Sequence, residues 1–520
     1  MAKRKQPAPI PLEALPNPEL VFGVVGAIGA DVDEVTNVLV DELSRVGYQA
    51  HVIHVSRLMY KIDRYRGLEK RRFATEFDRI DAHMTAGSGL RKAVERGDAL
   101  ALMCVAEIRR IRGLSSHPNS PDPTKRVAYV LRLLKNPEEV RRLRDIYGRA
   151  FYLISAYAPR EVRISQLALR ITTSSGTAGL ENARSKAEQL VERDEKEETS
   201  FGQNVRESFP LADTFVDASA RNNLEQSLRR FVELIFSHPF HTPTRDEYAM
   251  FHAFAAALRS ADLSRQVGAA ITTKSGDIVA VGCNDVPKFS GGQYWPEDPE
   301  DHRDFRVGHD SNTAFKRELV EQFISVVQSL GLLSRKGADA GIRATASKLL
   351  ANRDFKDSIA ASVIEFGRSV HAEMAAISDA ARRGVSLAGT TLFSTTFPCH
   401  ICTRHIVAAG IARVIYIEPY PKSRAARLYS DSIVVDPAEL IDGKVLFKPF
   451  VGLAPSVYTE MFRLQGESRK RSDGKATKWA PERAVPRLRR FVISYISIEQ
   501  QVVGNLLPKV LASANMRLIA

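Results

Sequence analysis

Residues 368–418 read RSVHAEMAAISDAARRGVSLAGTTLFSTTFPCHICTRHIVAAGIARVIYIE. Apolar residues recur with a helical period in SVHAEMAAISDAARRG and again in PCHICTRHIVAAG, while TTLFST and ARVIYIEPY are short runs rich in β-branched and aromatic residues. The order is helix, strand, helix, strand, the chain pattern of an α/β sheet. His371 and Glu373 open the first helix; Cys399 and Cys402 open the second.

Upstream, PTRDEYAMFHAFAAALRSADLSRQ from residue 243 reads as a helix, and VGAAITTKSGDIVAVGCN as two strands joined by a Lys-Ser-Gly-Asp turn. A polar insertion at 285–360 carries at least one amphipathic helix, FKRELVEQFISVVQSLGLL. An earlier α/β unit starts with ELVFGVVGAI at 19–28, a strand ending in glycines, followed by the helix-patterned DVDEVTNVLVDELSRVGYQ. Further strands are expected at 50–55, 98–106, 126–131 and 151–157, helix in NPEEVRRLRDIYG, and a return to the sheet at ADTFVD. The polar segment 172–208 reads as a lid or linker. The expected organisation is a tail at 1–18, a parallel-sheet domain at 19–242, a second α/β domain at 243–462 and an extension at 463–520.

The chain has 520 residues, 44% of them hydrophobic, enough for two or three cores. It has no run of about 18 apolar residues, and MAKRKQPAPIPLEALP has no apolar h-region, so neither a membrane span nor a secretory signal is expected and a cytoplasmic location is. Four cysteines cannot form a disulfide framework here. The balance of 74 Lys+Arg against 61 Asp+Glu gives a charge of +13. Residues 461–520 hold 12 basic and 4 acidic residues, so the excess is concentrated in what reads as a solvated basic tail or a docking arm.

Cys399 and Cys402 share a helix face, and unpaired N–H groups at a helix start favour thiolates. Pro398 suits such a start. His371 and Glu373, two apart, reach one site only from a first turn looking over the helix end. His371, Cys399 and Cys402 form a three-ligand zinc set that leaves a position for water, and Glu373 is left to move protons. The competing readings are a closed zinc knuckle that adds His400 or His405, and a redox C-x-x-C.

H-A-E with P-C-H-I-C matches the H-x-E and P-C-x-x-C signature of the zinc nucleobase deaminases. SRQVGAAITTKSGDIVAVGCND resembles the deoxycytidylate deaminase family, which implies that Asn284 binds the sugar hydroxyl; a turn-forming Asn is the alternative. RSVHAEMAAI, TTFPCHICTRHIVAAGI, RVIYIEPYPKS, KNPEEVRRLRDIYG, ADTFVD and VLFKPFVGLAPSVY resemble the bacterial anti-phage dCTP deaminases, a resemblance covering roughly residues 19–462. It implies a P-loop nucleotide-kinase-like domain ahead of a cytidine-deaminase-like three-layer α/β/α domain. It implies zinc-dependent conversion of dCTP to dUTP and ammonia, which starves phage replication; dCMP deamination is the nearest alternative and nucleic-acid editing a more distant one.

Arg265, Lys288 and Lys422 fall beside segments flanking this site and are candidate phosphate contacts. Asp301, His302, Asp304, His309 and Asp310 could hold a second metal, including the Mg2+ of a triphosphate, or form a plain solvated loop. In the N-terminal turn, Gly26, Gly29 and Asp31 stand where a phosphate loop would be, but the G-K-[ST] ending is missing. The expectation there is a nucleotide or phage-derived effector bound without phosphoryl transfer, or a scaffold. A homo-oligomer is expected; nucleic acid as a partner is not, for want of an aromatic-basic channel.

Overall fold

The computed structural model describes residues 17–115, 126–175, 180–195, 197, 201–358, 360–420, 422–437, 441–464, 468–488 and 493–519. The expected tail at 1–18 lies almost wholly outside them. The chain divides into two compact units, 1–243 together with 451–520, and 244–450.

The first unit is built on strands β1 (Leu20–Gly26), β2 (Gln49–His54), β3 (Val127–Leu134), β4 (Phe151–Tyr157) and β5 (Thr214–Asp217). They pair in parallel in the order β5-β4-β1-β3-β2. The central strand is buried at every residue, as a parallel strand covered on both faces must be. Helices Val32–Arg45 and Arg221–Ile235 supply Val35, Leu39, Leu228 and Phe231 to its main core.

Three expectations fail in this unit. Residues 98–106 are not a strand but the start of helix Ala99–Ser115. Leu100 to Val105 are all buried, and a helix apolar all round gives the same run of letters as a buried strand. The 172–208 segment is not a linker: helix Leu180–Glu195 packs Ala183, Ala187, Leu190 and Val191 against Ile164, Leu167 and Ile171 of helix Arg160–Ser175. The basic end is not a free tail either. Its helix Ile493–Gln501 buries Tyr495 and Glu499 in this unit, and ahead of it strand β12 (Gly452–Leu453) pairs antiparallel with β5.

The second unit holds the sheet β7-β6-β8-β9-β11-β10, formed by β6 (Gly268–Thr272), β7 (Ile278–Cys283), β8 (Thr391–Thr396), β9 (Arg413–Glu418), β10 (Ile433–Val435) and β11 (Val445–Pro449). The pairs β7-β6 and β6-β8 are antiparallel, the others parallel. Two glycines show how helices cover it. A Cβ on Gly268 would sit 1.9 Å from Ala253 O of helix Arg245–Ala257, and one on Gly282 would sit 2.3 Å from Ala372 O of helix Ala372–Arg382. Gly282 pairs with Ala269, the neighbour of Gly268, so the two glycines face opposite sides and the sheet lies between two helix layers.

Candidate active site

His371 is the N-cap of helix Ala372–Arg382, and Glu373 lies in its first turn. Val370 N donates to Asp285 O at 3.0 Å, so the chain entering the helix is tied to the segment just after β7. Cys399 is the N-cap of helix His400–Ala408, and its sulfur accepts from Cys402 N at 3.4 Å. Ser423 Oγ donates to Pro398 O and Thr403 Oγ1 to Cys399 O, both at 2.9 Å, which fixes the turn carrying the first sulfur. Two helix starts therefore meet end-on.

His371 Nδ1 lies 3.3 Å from both Cys399 Sγ and Cys402 Sγ. A nitrogen and a sulfur sharing a tetrahedral zinc ion stand about 3.6 Å apart, so this donor set fits zinc in both kind and spacing. Among the described residues no fourth His, Cys, Asp or Glu joins the cluster, and His400 and His405 stand outside it. Glu373 is buried, with Oε2 3.4 Å from Cys402 Sγ. Its pKa is raised, first by burial and then by the charge of Cys399, whereas His371 opposes the shift. The hydrogen bond with Cys402, and then that with His371, holds the Cys399 thiol down at about 4. His371 is raised chiefly by its bond to Cys399.

His371, Glu373 and Cys399 line a cavity of about 460 Å³. Arg265 lines it; its guanidinium lies 5.3 Å from the Tyr420 ring and 3.8 Å from Glu418. Asn284 lines it too. Its Oδ1 accepts from Val267 N at 2.7 Å and its Nδ2 donates to Arg265 O at 2.8 Å, which leaves one N–H and one lone pair of the amide. Both the turn-forming and the ligand-facing readings of this residue therefore have a physical basis.

Lys288 is not brought to the cavity: Asp298 holds its ammonium at 2.8 and 2.9 Å. Lys422 is exposed and also outside the lining. The 301–310 cluster does not converge. Asp301 binds Arg303, His302 meets Glu300, and Asp310 caps helix Ser311–Ser329; Asp304, Asp310 and Asp262 instead line the cavity. Sequence reasoning missed Arg368, which lines the same cavity and donates to Asp304 at 3.1 Å. Its place three residues before His371 was the available signal.

In the first unit, Gly26 O accepts from Lys135 Nζ at 2.9 Å, and Asp31 caps helix Val32–Arg45 by accepting from Glu34 N. Gly29 has φ +87°, and a Cβ there would meet Arg163 O at 2.6 Å. Ile28 N, which a phosphate would need, donates to Asp194 at 2.7 Å, and Lys135 holds the other oxygen of that carboxylate at 2.7 Å. Beside this turn is a cavity of about 180 Å³. Buried Arg91 Nη2 and Gln203 Oε1, from residues of its lining, have no hydrogen-bond partner among the described residues.

No helix among the described residues is long and apolar enough to cross a membrane. Among curated proteins, the chain is 42% identical over 55 residues to the deoxycytidylate deaminase of Enterobacteria phage T2, covering 11% of this chain and 29% of that protein. It is 39% identical over 71 residues to the probable deoxycytidylate deaminase of Drosophila melanogaster, covering 13% and 34%. The chain thus spans only about a third of the length of these relatives. The solved structure of the dCMP deaminase from cyanophage S-TIM5 in complex with dCMP and dUMP aligns at 18% identity and a TM-score of 0.22, covering 40% of this chain and 98% of that one. Residues 243–418, which contain His371, Glu373, Cys399 and Cys402, match the family model of the cytidine and deoxycytidylate deaminase zinc-binding region.

Proposed function

We propose that residues 244–450 form a zinc-dependent hydrolase that deaminates a free deoxycytidine nucleotide, dCTP first and dCMP as the alternative, with release of ammonia. The observation that carries this reading is the placing of a buried carboxylate, Glu373, beside a His-Cys-Cys donor set at the wall of a nucleotide-sized cavity. His371, Cys399 and Cys402 would hold the zinc, which when bound acidifies a water and so supplies a nucleophile near neutral pH. Glu373 takes one proton of the attacking water and passes it to the ring nitrogen of cytosine, then takes the remaining proton from the hydroxyl now on the ring carbon and delivers it to the leaving amine, which departs as ammonia while the carbonyl forms. Arg265 and Arg368 are the cations available to phosphate, and the remaining N–H and lone pair of Asn284 match a sugar hydroxyl.

The preference for dCTP rests on the residue-level resemblance quoted above, and with it the role in starving phage of a DNA precursor. Ammonia release across dCMP, dCDP, dCTP, CTP and a deoxycytidine oligonucleotide tests it: preferential turnover of the oligonucleotide would favour an editing enzyme. Glu373→Ala should lower kcat by about 10²-fold or more while zinc stays bound. Retained turnover, or lost zinc, would refute the division of roles.

For the first unit we read the turn at 26–31 as a degenerate phosphate loop whose anion position Asp194 fills. Its adjoining cavity, with the free Arg91 and Gln203 atoms, is the place to look for an effector nucleotide.

A further inference from the structure

A second cluster of metal-binding side chains lies in the first unit, remote in sequence from His371. Helix Arg221–Ile235 ends just after Glu233, and the turn that follows, Ser237-His238-Pro239-Phe240-His241, brings two imidazoles back over it. One ring nitrogen from each histidine and one carboxylate oxygen of Glu233 lie within 4.8 Å of one another. The rings themselves are 4.2 Å apart between centroids.

We propose that Glu233, His238 and His241 hold a second zinc ion, with solvent completing its coordination, and that this ion braces the turn. Two imidazoles and a carboxylate are donors zinc accepts, and in a tetrahedral site they would stand about 3.4 Å apart. From the present spacing that requires a closure of about 1.4 Å at most, within reach of side-chain rotation alone. His241 Nε2 and Glu233 Oε2 now share a proton at 2.6 Å, and the metal replaces it. Glu233 Oε1 is held separately by Arg45, which leaves Oε2 as the ligand and fixes the carboxylate's orientation, the work usually done by an outer hydrogen-bonding partner. The cost is modest: His238 Nδ1 loses at most a 3.3 Å contact from Phe240 N–H, and the Arg45 cation weakens the site without occupying it.

The surroundings give the site its purpose. Trp479 packs against His238 with ring centroids 5.0 Å apart and planes tilted by 58°, and donates to Phe236 O at 3.1 Å; Arg469 donates to Pro239 O at 2.6 Å, and Arg487 N to Ile235 O at 2.9 Å. The basic C-terminal segment is therefore laid across this turn by backbone carbonyls and one ring. A metal that fixes the turn also fixes the surface on which the segment rests.

The test is zinc content of the full-length protein after equilibration with zinc sulfate and removal of free ion. The expected values are two zinc per chain in the wild type, one in His238→Ala/His241→Ala and one in Cys399→Ala/Cys402→Ala. Wild-type protein with two zinc that the histidine variant keeps, or with one zinc that only the cysteine variant loses, overturns the proposal. One zinc lost only by the histidine variant would uphold this site and overturn the catalytic one, so the two readings fail separately. Cobalt loading covers the case of a misfolded histidine variant. The cysteine variant should retain a cobalt d–d absorption lacking the thiolate charge-transfer band, and a colourless cysteine variant sinks the proposal.

Discussion

Arg112→Met should unfold the first unit far more readily than Glu499→Gln, although both remove one member of the same buried cluster. Arg112 is buried and donates to Glu19 at 2.9 and 2.7 Å and to Glu499 at 2.5 and 3.0 Å. Tyr495 donates to Glu19, and Tyr147 to Glu499, each at 3.0 Å; Tyr129 reaches Glu19 at 3.3 Å. One guanidinium thus serves two carboxylates, and the phenol hydroxyls take the remaining lone pairs. Removing the cation leaves two buried carboxylates without its neutralising charge, at about 3–5 kcal/mol; Glu499→Gln keeps a neutral Arg112–Glu19 pair and should cost about 1–2 kcal/mol. The chain has two tryptophans, Trp295 in the second unit and Trp479 in the first, so a Trp295→Phe background makes fluorescence report the first unit alone. With a urea slope of about 3 kcal/mol per molar, the Arg112→Met midpoint should fall by about 1–1.7 M and the Glu499→Gln midpoint by less than about 0.7 M. Equal shifts would refute the triad as the anchor of the C-terminal helix. The same geometry bears on truncation: deleting residues 466–520 removes Glu499 and Tyr495 together and takes them from buried Arg112 and Glu19, so the product should be an unstable first unit.

Gly282→Ala should lower zinc occupancy and deamination together, because its Cβ would press at 2.3–2.5 Å on backbone atoms of the helix that carries His371 and Glu373. The expected stability loss is about 1–3 kcal/mol, and unchanged metal content would show that the helix does not shift. Asp213 gives a pH test. Burial, opposed by Arg144, raises its pKa to about 6. Between pH 4 and 6 the folded state therefore binds more protons than the unfolded one, so this group's contribution falls as pH rises through that window, by roughly 2–3 kcal/mol in all. Asp213→Asn should flatten that part of the first unit's stability profile, and an unchanged slope would place the titration elsewhere.

The convergence of His371, Glu373, Cys399 and Cys402 was legible because each residue's placement depends on its distance from a helix start, a local property that periodicity reveals. The opposite wall was legible only in part, through Arg265. Arg265, Asp304, Asp310 and Arg368 come from separate segments of the insertion and its flanks, and only tertiary packing decides that Arg368 faces the cavity while Asp298 binds Lys288 away from it. Periodicity failed where burial is complete on all sides, as in Leu100 to Val105. Charge misled where ions are paired internally. The 172–208 segment reads as polar, yet Asp194 is buried against Lys135 and helix Leu180–Glu195 is amphipathic, with one apolar face in a core.

The end-on geometry also explains why the glycine-bearing strands matter to chemistry as well as to packing. A residue two positions from His371 on a regular helix would point about 200° away. His371 escapes this because, as N-cap, it has extended backbone at φ −66° and ψ 153°, so its imidazole and the Glu373 carboxyl both converge over the helix end. That arrangement holds only if the helix start stays fixed. The bond from Val370 N to Asp285 O fixes it on one side, and the close approach at Gly282 fixes it on the other. Asp285 is itself buried, with Val286 N donating to its carboxylate at 2.8 Å and Ala261 N at 3.4 Å. The end of β7 is thus the part of the scaffold on which the position of the Glu373 carboxylate depends, and its Gly-Cys-Asn-Asp sequence serves packing at its first residue, cavity lining at its third and positioning at its fourth.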